Sequence, residues 1–255
     1  MKLETAKQNK ILSIRLLPDG FYFYNGPNKE SQQQTYSYSI RPGDDYLSLI
    51  KDAVFEQKLT EEEYLSIQIV SVRAPFTFLP DQLISKEDYS SFFPTLSKGF
   101  GQPVYMSNAI QAIGRVLLYF MEEDLYFFLQ RNFPEANFIH QMTPLISYYL
   151  HSKEDETNNN ELFIHCEKQQ ISVILTSQEG ILFANTFDFH SPNDAIYYIL
   201  NTFQQFKLDQ LTDNILLIGA TEYALEITSI LQKYVSKVTF REEKQKQPLD
   251  ITILS

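Results

Sequence analysis

Residues 12–24 read Leu12-Ser13-Ile14-Arg15-Leu16-Leu17-Pro18-Asp19-Gly20-Phe21-Tyr22-Phe23-Tyr24. Leu12, Ile14 and Leu16 alternate with polar positions at the strand period of two. Pro18-Asp19-Gly20 is a turn signal, and Phe21 and Phe23 resume the alternation beyond it, so the segment reads as a β-hairpin. The pattern recurs 150 positions later: Leu162, Ile164 and Cys166, a turn at 167–170, then Ile171 and Val173. What recurs is pattern rather than identity. It predicts a duplicated domain with a cleft between the copies.

Working outward in the first copy, strands are expected at 11–17, 20–24 and 35–40, the last from the alternation of Tyr36, Tyr38 and Ile40. Pro42, Gly43 and the pair Asp44-Asp45 then open a helix whose positive end meets the acids and whose apolar face is Leu47, Ile50 and Val54. A strand at 65–72 follows. The second copy repeats the order, with strands near 161–166, 170–176 and 180–188. Ser191 as N-cap and Pro192 at the first helical position then start a helix to about Phe206, with Ile196, Ile199, Leu200 and Phe203 on one face. A strand at 215–218, a turn at Gly219-Ala220-Thr221, a helix carrying Tyr223, Ile227, Ile230, Leu231 and Tyr234, and a strand near 235–240 complete it. The order is βββαβαβ.

Residues 75–110, interrupted by Pro75, Pro80, Pro94 and Pro103, fit neither period and read as an insertion. Order returns with a strand at 115–121, a helix at 123–132, a short strand at 137–141 and a helix from Pro144 to Leu150. The expected domains are 1–151, a polar linker at 152–160, and 161–255.

The chain has 255 residues, 20 Phe and 16 Tyr, enough apolar surface for two cores. The net charge of −11 is spread over both halves, with 17 acids to 13 bases up to residue 150 and 15 to 8 beyond it. No basic stripe is present for a phosphate backbone, so nucleic acid is excluded as an expected partner, and an anionic membrane surface would repel the chain. The first 20 residues lack the h-region of a signal peptide, and the apolar run Val116 to Met121 is far too short to span a bilayer. A single Cys forms no internal disulfide. The expected location is the cytoplasm, without membrane insertion.

The duplicated βββαβαβ order resembles two ribonuclease H-like domains, the layout of the actin-like ATPase fold. This is an α/β class with a five-stranded mixed sheet in each domain. The hairpin Leu12 to Tyr24 and the run Leu162 to Phe189 are similar to an uncharacterised bacterial family of actin-like fold found in Bacteroides-type bacteria. The layout is also similar to cytoplasmic actin-like components of pilus and secretion machines. The resemblance implies a fold and no activity.

Proteins of the actin-like fold bind ATP between their domains, and the first hairpin turn of each half carries Asp-x-Gly followed by Ser or Thr. Such a Gly lets backbone N–H groups approach phosphate, and the carboxylate organises magnesium. The corresponding turns here, Leu17-Pro18-Asp19-Gly20 and Glu167-Lys168-Gln169-Gln170, depart from that motif, and Pro18 lacks a backbone donor. The adenosine loop of the family has two Gly; Ile218-Gly219-Ala220-Thr221 keeps one. The nucleotide-cleft candidates are therefore Asp19, Gly20, Glu167, Gly219, Ala220 and Thr221. ATP with magnesium is the implied cofactor only if these divergent turns still hold phosphate; otherwise no cofactor is expected.

A ribonuclease H-type nuclease needs a carboxylate from the middle of its first strand, where this chain has Ser13 and Arg15 in one copy and Phe163 and His165 in the other. His165 and Cys166 point to opposite faces of a strand and cannot share an ion. Cys166 matches Leu16 and reads as a buried thiol. His140, His151 and His190 lack metal-ligand spacing, so no metal and no catalytic residue is assigned. Glu61-Glu62-Glu63 and Glu122-Glu123-Asp124 read as helix starts. Tyr126, Phe127 and Phe128 are consecutive on a helix and cannot all face one core, which makes them candidates for a partner surface. Two functions remain: a noncatalytic protein-binding or assembly component with an unidentified protein partner, and an ATPase or small-molecule kinase with divergent phosphate loops.

Overall fold

A two-residue turn joins the opening hairpin: β1 (Lys10–Leu17) and β2 (Gly20–Pro27) pair antiparallel, with Leu17 opposite Gly20 across Pro18-Asp19. The computed structural model describes residues 10–27, 33–72, 74–80, 89–93, 103–152, 160–178, 180–220, 222–243 and 247–254. Contacts divide the chain into two units, Met1–Leu145 with Asp250–Ser255, and Ile146–Leu249.

In the first unit β3 (Gln34–Ser39) lies antiparallel to β2, and α1 (Tyr46–Glu56) leads to β4 (Ser66–Ser71), parallel to β1. Three further strands follow, β5 (Phe76–Pro80), β6 (Pro103–Ile110) and β7 (Arg115–Glu122), before α2 (Glu123–Asn132), β8 (Asn137–His140) and α3 (Met142–Ser152), whose residues from Ile146 on belong to the second unit. The main sheet has the order β3-β2-β1-β4-β8. Leu12, Ile14, Leu16, Phe21, Phe23 and Ile69 project from one face of it onto Ile50 and Val54 of α1 and Leu125 and Leu129 of α2, forming the core. Alternation along each strand fixes that face.

Within 75–110, expected as an insertion, the described residues include the strands β5 and β6, and order continues from 115 as expected. Strand β7 leaves the main sheet and becomes the centre of a second sheet, β5-β7-β6. The reason is that Val116 to Met121 is apolar on both faces and buried throughout, which suits a strand covered on both sides. Leu118 and Phe120 pack with Leu79 and Phe93, while Met121 reaches the main core. Glu61 to Glu63 does not start a helix. It lies in the connection from α1 to β4, where Glu62 pairs with Lys10 at 3.0 Å.

The second unit holds β9 (Glu161–Glu167), β10 (Gln170–Ser177), β11 (Gly180–Asp188), α4 (Pro192–Gln205), β12 (Asn214–Gly219), α5 (Glu222–Leu231) and β13 (Lys237–Glu242). Its sheet order, β11-β10-β9-β12-β13, repeats that of the first with the same hairpin and parallel neighbours. Asp194 caps α4 by accepting from the backbone N–H of Ser191 at 2.9 Å and of His190 at 3.1 Å, which lowers its carboxyl pKa.

The last element, α6 (Leu249–Leu254), departs from the expected second domain of 161–255, because Asp250–Ser255 group with the first unit. Ile251 is buried among Leu17, Tyr24, Val70 and Val72. Of the expected linker, residues 153–159 lie outside the described residues. Asn160 is held by Asp213 Oδ1, which accepts its backbone N–H at 3.0 Å.

Candidate functional site

The hairpin turns occupy equivalent places. The backbone carbonyl of Asp19 accepts from Ile40 N at 3.0 Å, and that of Gln169 accepts from Phe189 N at 2.9 Å. Each turn is thereby tied to the residue after its third strand. Lys168 takes the left-handed conformation, with φ of 48°. The candidate Asp19 is exposed at its turn, and Glu167 stands half-buried at the end of β9.

Both candidate glycines have a packing role. A Cβ on Gly20 would lie 2.3 Å from the carbonyl oxygen of Tyr38 in the neighbouring strand, and one on Gly219 would lie 2.7 Å from both Cys166 O and Ala224 Cβ. These glycines admit close backbone approach between strands, or between strand and helix. Asp19 and Gly20 belong to the first unit, whereas Glu167, Gly219 and Ala220 belong to the second. Thr221 lies outside the described residues.

A groove of about 340 Å³ opens at the carboxyl ends of β1 and β4, the edge where open α/β sheets place ligands. Leu16, Leu17, Val72, Phe120, Met121 and Leu125 make it largely apolar, and Tyr46, Ser71 and Glu122 are its polar members among the described residues. Arg73, between Val72 and Ala74 in sequence, lies outside them. Tyr46 donates its hydroxyl to Gly20 O at 3.4 Å, and burial, then the charge of Asp19, raises its pKa.

Tyr46 and Leu125 come from the first turns of α1 and α2. Free helix N-termini bind anions, but both of these begin among carboxylates. Asp45 accepts from the Ser48 hydroxyl, which lowers its carboxyl pKa, and from Leu47 N at 3.2 Å, and α2 begins with Glu123 and Asp124 immediately after Glu122. Among the described residues, phosphate entering here would meet negative charge.

The middle of each first strand holds a buried base paired with an acid, an arrangement not anticipated from sequence. Arg15 Nε donates to Asp250 Oδ2 at 3.0 Å, and His165 Nε2 lies 3.3 Å from Glu243 Oε2. Arg15 and His165 are 150 positions apart and hold the same register in the first strand of each five-stranded sheet. A base on the strand face opposite the core was the available signal; its acid comes from a remote segment that no spacing rule locates. Cys166 points the other way, into the second core, as its apolar register requires. Among the described residues no group of three or more His, Cys, Asp or Glu is placed to hold a metal.

The consecutive aromatics on α2 separate. Tyr126 packs against Phe138 with ring centroids 5.0 Å apart, Phe128 against Phe55 at 6.1 Å, and Phe127 is 46% exposed. Lys51 Nζ sits 5.7 Å from the Phe128 ring centroid. Among the described residues no helix is long and apolar enough to cross a membrane.

The fold is shared with solved structures. A Bacteroides thetaiotaomicron protein of unknown function with actin-like ATPase fold matches at TM-score 0.80 and 24% identity, over 100% of this chain and 98% of its own. At that identity the likeness shows the fold, and the protein has the actin-like ATPase fold. A type IV pilus biogenesis complex of PilM and PilN matches at TM-score 0.49 and 8% identity, over 93% of this chain and 89% of that one. The ethanolamine utilization protein EutJ from Carboxydothermus hydrogenoformans matches at TM-score 0.49 and 9% identity, over 96% and 89%. No curated protein matches the chain in sequence. With a family model that matches residues 2–238, the chain belongs to the protein family of unknown function DUF3822.

Proposed function

We propose that this protein is a noncatalytic cytoplasmic binding protein that engages a protein partner through the groove at the carboxyl ends of β1 and β4. One observation carries the reading: among the described residues the groove is apolar and its charged groups are acidic, with Glu122 in its wall and Asp45, Glu123 and Asp124 at the adjoining helix starts. A nucleotide triphosphate needs cations or free backbone donors. An apolar side chain with a neighbouring base needs an apolar floor and a carboxylate rim. The net charge of −11 favours the same class of partner. A single cysteine, which forms no internal disulfide, supports a reducing compartment.

The test is titration of the purified protein with Mg-ATP, followed by calorimetry and by melting temperature. A ligand at one hundred times its Kd stabilises a fold by about 2.7 kcal/mol. We expect neither heat nor a melting shift at millimolar ATP. Micromolar binding would overturn the proposal in favour of an ATPase or kinase with divergent loops.

A further inference from the structure

Helix α6 has six residues, too few to be stable alone in water. Its order comes from a seat on the first unit's main sheet. Ile69, Phe23 and Leu16 face the core with α1 and α2, so their neighbours Val70, Tyr24 and Leu17 face the opposite side by strand alternation. There, with Val72, they form an apolar floor on which Ile251 is buried and Leu254 half-buried. Arg15 rises from the same floor to Asp250, each side chain 1% exposed.

This pairing selects as well as packs. An apolar pair of similar volume would hold a helix at least as well as a buried ion pair, whereas a desolvated guanidinium rejects any segment that fails to bring a carboxylate. The seat is also continuous with the groove, since Leu17 and Val72 belong to both.

We infer that the α6 seat is a docking site for a short helical segment carrying a carboxylate followed by an apolar β-branched residue and a leucine three positions further on. The chain's own Asp250, Ile251 and Leu254 fill it in cis, and a partner helix of the same pattern competes with them. Peptide binding at the seat and Mg-ATP binding are measured separately, so failure of this inference is distinguishable from failure of the function proposed above.

The probe is a fluorescent peptide of residues 247–254, titrated into the full-length protein and its Asp250→Asn/Ile251→Ala variant. The variant, with its own helix weakened, is expected to bind the peptide at least ten-fold more tightly than the wild type. A peptide carrying Asn in place of Asp250 is expected to lose that gain on the same variant. Hydrogen exchange of the wild-type chain supplies an independent measurement: residues 251–254 should exchange through an opening that leaves β1 and β4 protected. Equal binding by both proteins, no binding by either, or exchange of α6 only with global unfolding would overturn the inference.

Discussion

Arg15 and Asp250 are 235 positions apart in sequence and 3.0 Å apart in the structure, and each side chain is 1% exposed. The matching position in the second five-stranded sheet carries His165 beside Glu243, whose side chains are 4% and 7% exposed. Both sheets thus place a base where a ribonuclease H-type nuclease needs a carboxylate, and both pair it with an acid from a segment late in the chain.

Breaking the first pair strands a buried charge. Arg15→Met or Asp250→Ala should each cost about 3–5 kcal/mol, whereas Arg15→Met combined with Asp250→Leu should recover most of the loss. Urea unfolding of the three variants measures this. Equal loss in the double variant would show that the pair matters through shape rather than charge.

Gly20 and Gly219 should resist substitution for reasons of packing. A Cβ would lie 2.3 Å from Tyr38 O at the first and 2.7 Å from Cys166 O at the second. Gly20→Ala and Gly219→Ala are each expected to destabilise by about 1–3 kcal/mol, lowering the melting temperature by roughly 2–4 °C per kcal/mol. A variant that melts as the wild type does would remove the packing account at that glycine.

His140 ties β8 to the segment before β5. One ring nitrogen donates to Ala74 O at 2.9 Å and the other accepts from Met142 N at 3.2 Å, which makes it neutral; burial lowers its pKa from 6.5 to about 4. The unfolded chain binds this proton first as pH falls, so stability is full above about 6.5 and declines toward pH 4, by up to about 3 kcal/mol. Unfolding free energies at pH 7 and pH 4.5 should differ less in His140→Gln than in the wild type. An unchanged difference would assign the acid sensitivity elsewhere.

On α2, Phe127 and Leu129 should behave oppositely. Phe127 is 46% exposed and Leu129 fully buried. Phe127→Ser should shift stability by no more than about 0.5 kcal/mol, whereas Leu129→Ala should cost about 2–5 kcal/mol. Chemical denaturation distinguishes them, and a large loss in Phe127→Ser would mean that this ring is packed in solution.

Much of the fold was legible because it rests on local signals. The hairpin at 12–24 needs only alternation around Pro18-Asp19-Gly20, and α4 announces itself through Ser191, Pro192 and its apolar face. Strand β7 was placed in sequence but not in its sheet: an apolar run on both faces says that a strand is covered, not by which neighbours. The candidate site was legible only in outline. Asp19 and Gly20 adjoin the groove through Pro18 and Tyr46, but its walls combine β1, β4, β7, α1 and α2.

The sequence by itself determined the two hairpins, the helix faces and the departure of the turns from a phosphate-binding motif, because each depends on residues a few positions apart. Tertiary structure alone decided that β7 joins β5 and β6, that Gly20 and Gly219 admit neighbouring backbone, and that Asp250 returns to Arg15. The energy of such contacts depends on distance in space, and chain separation carries no record of it.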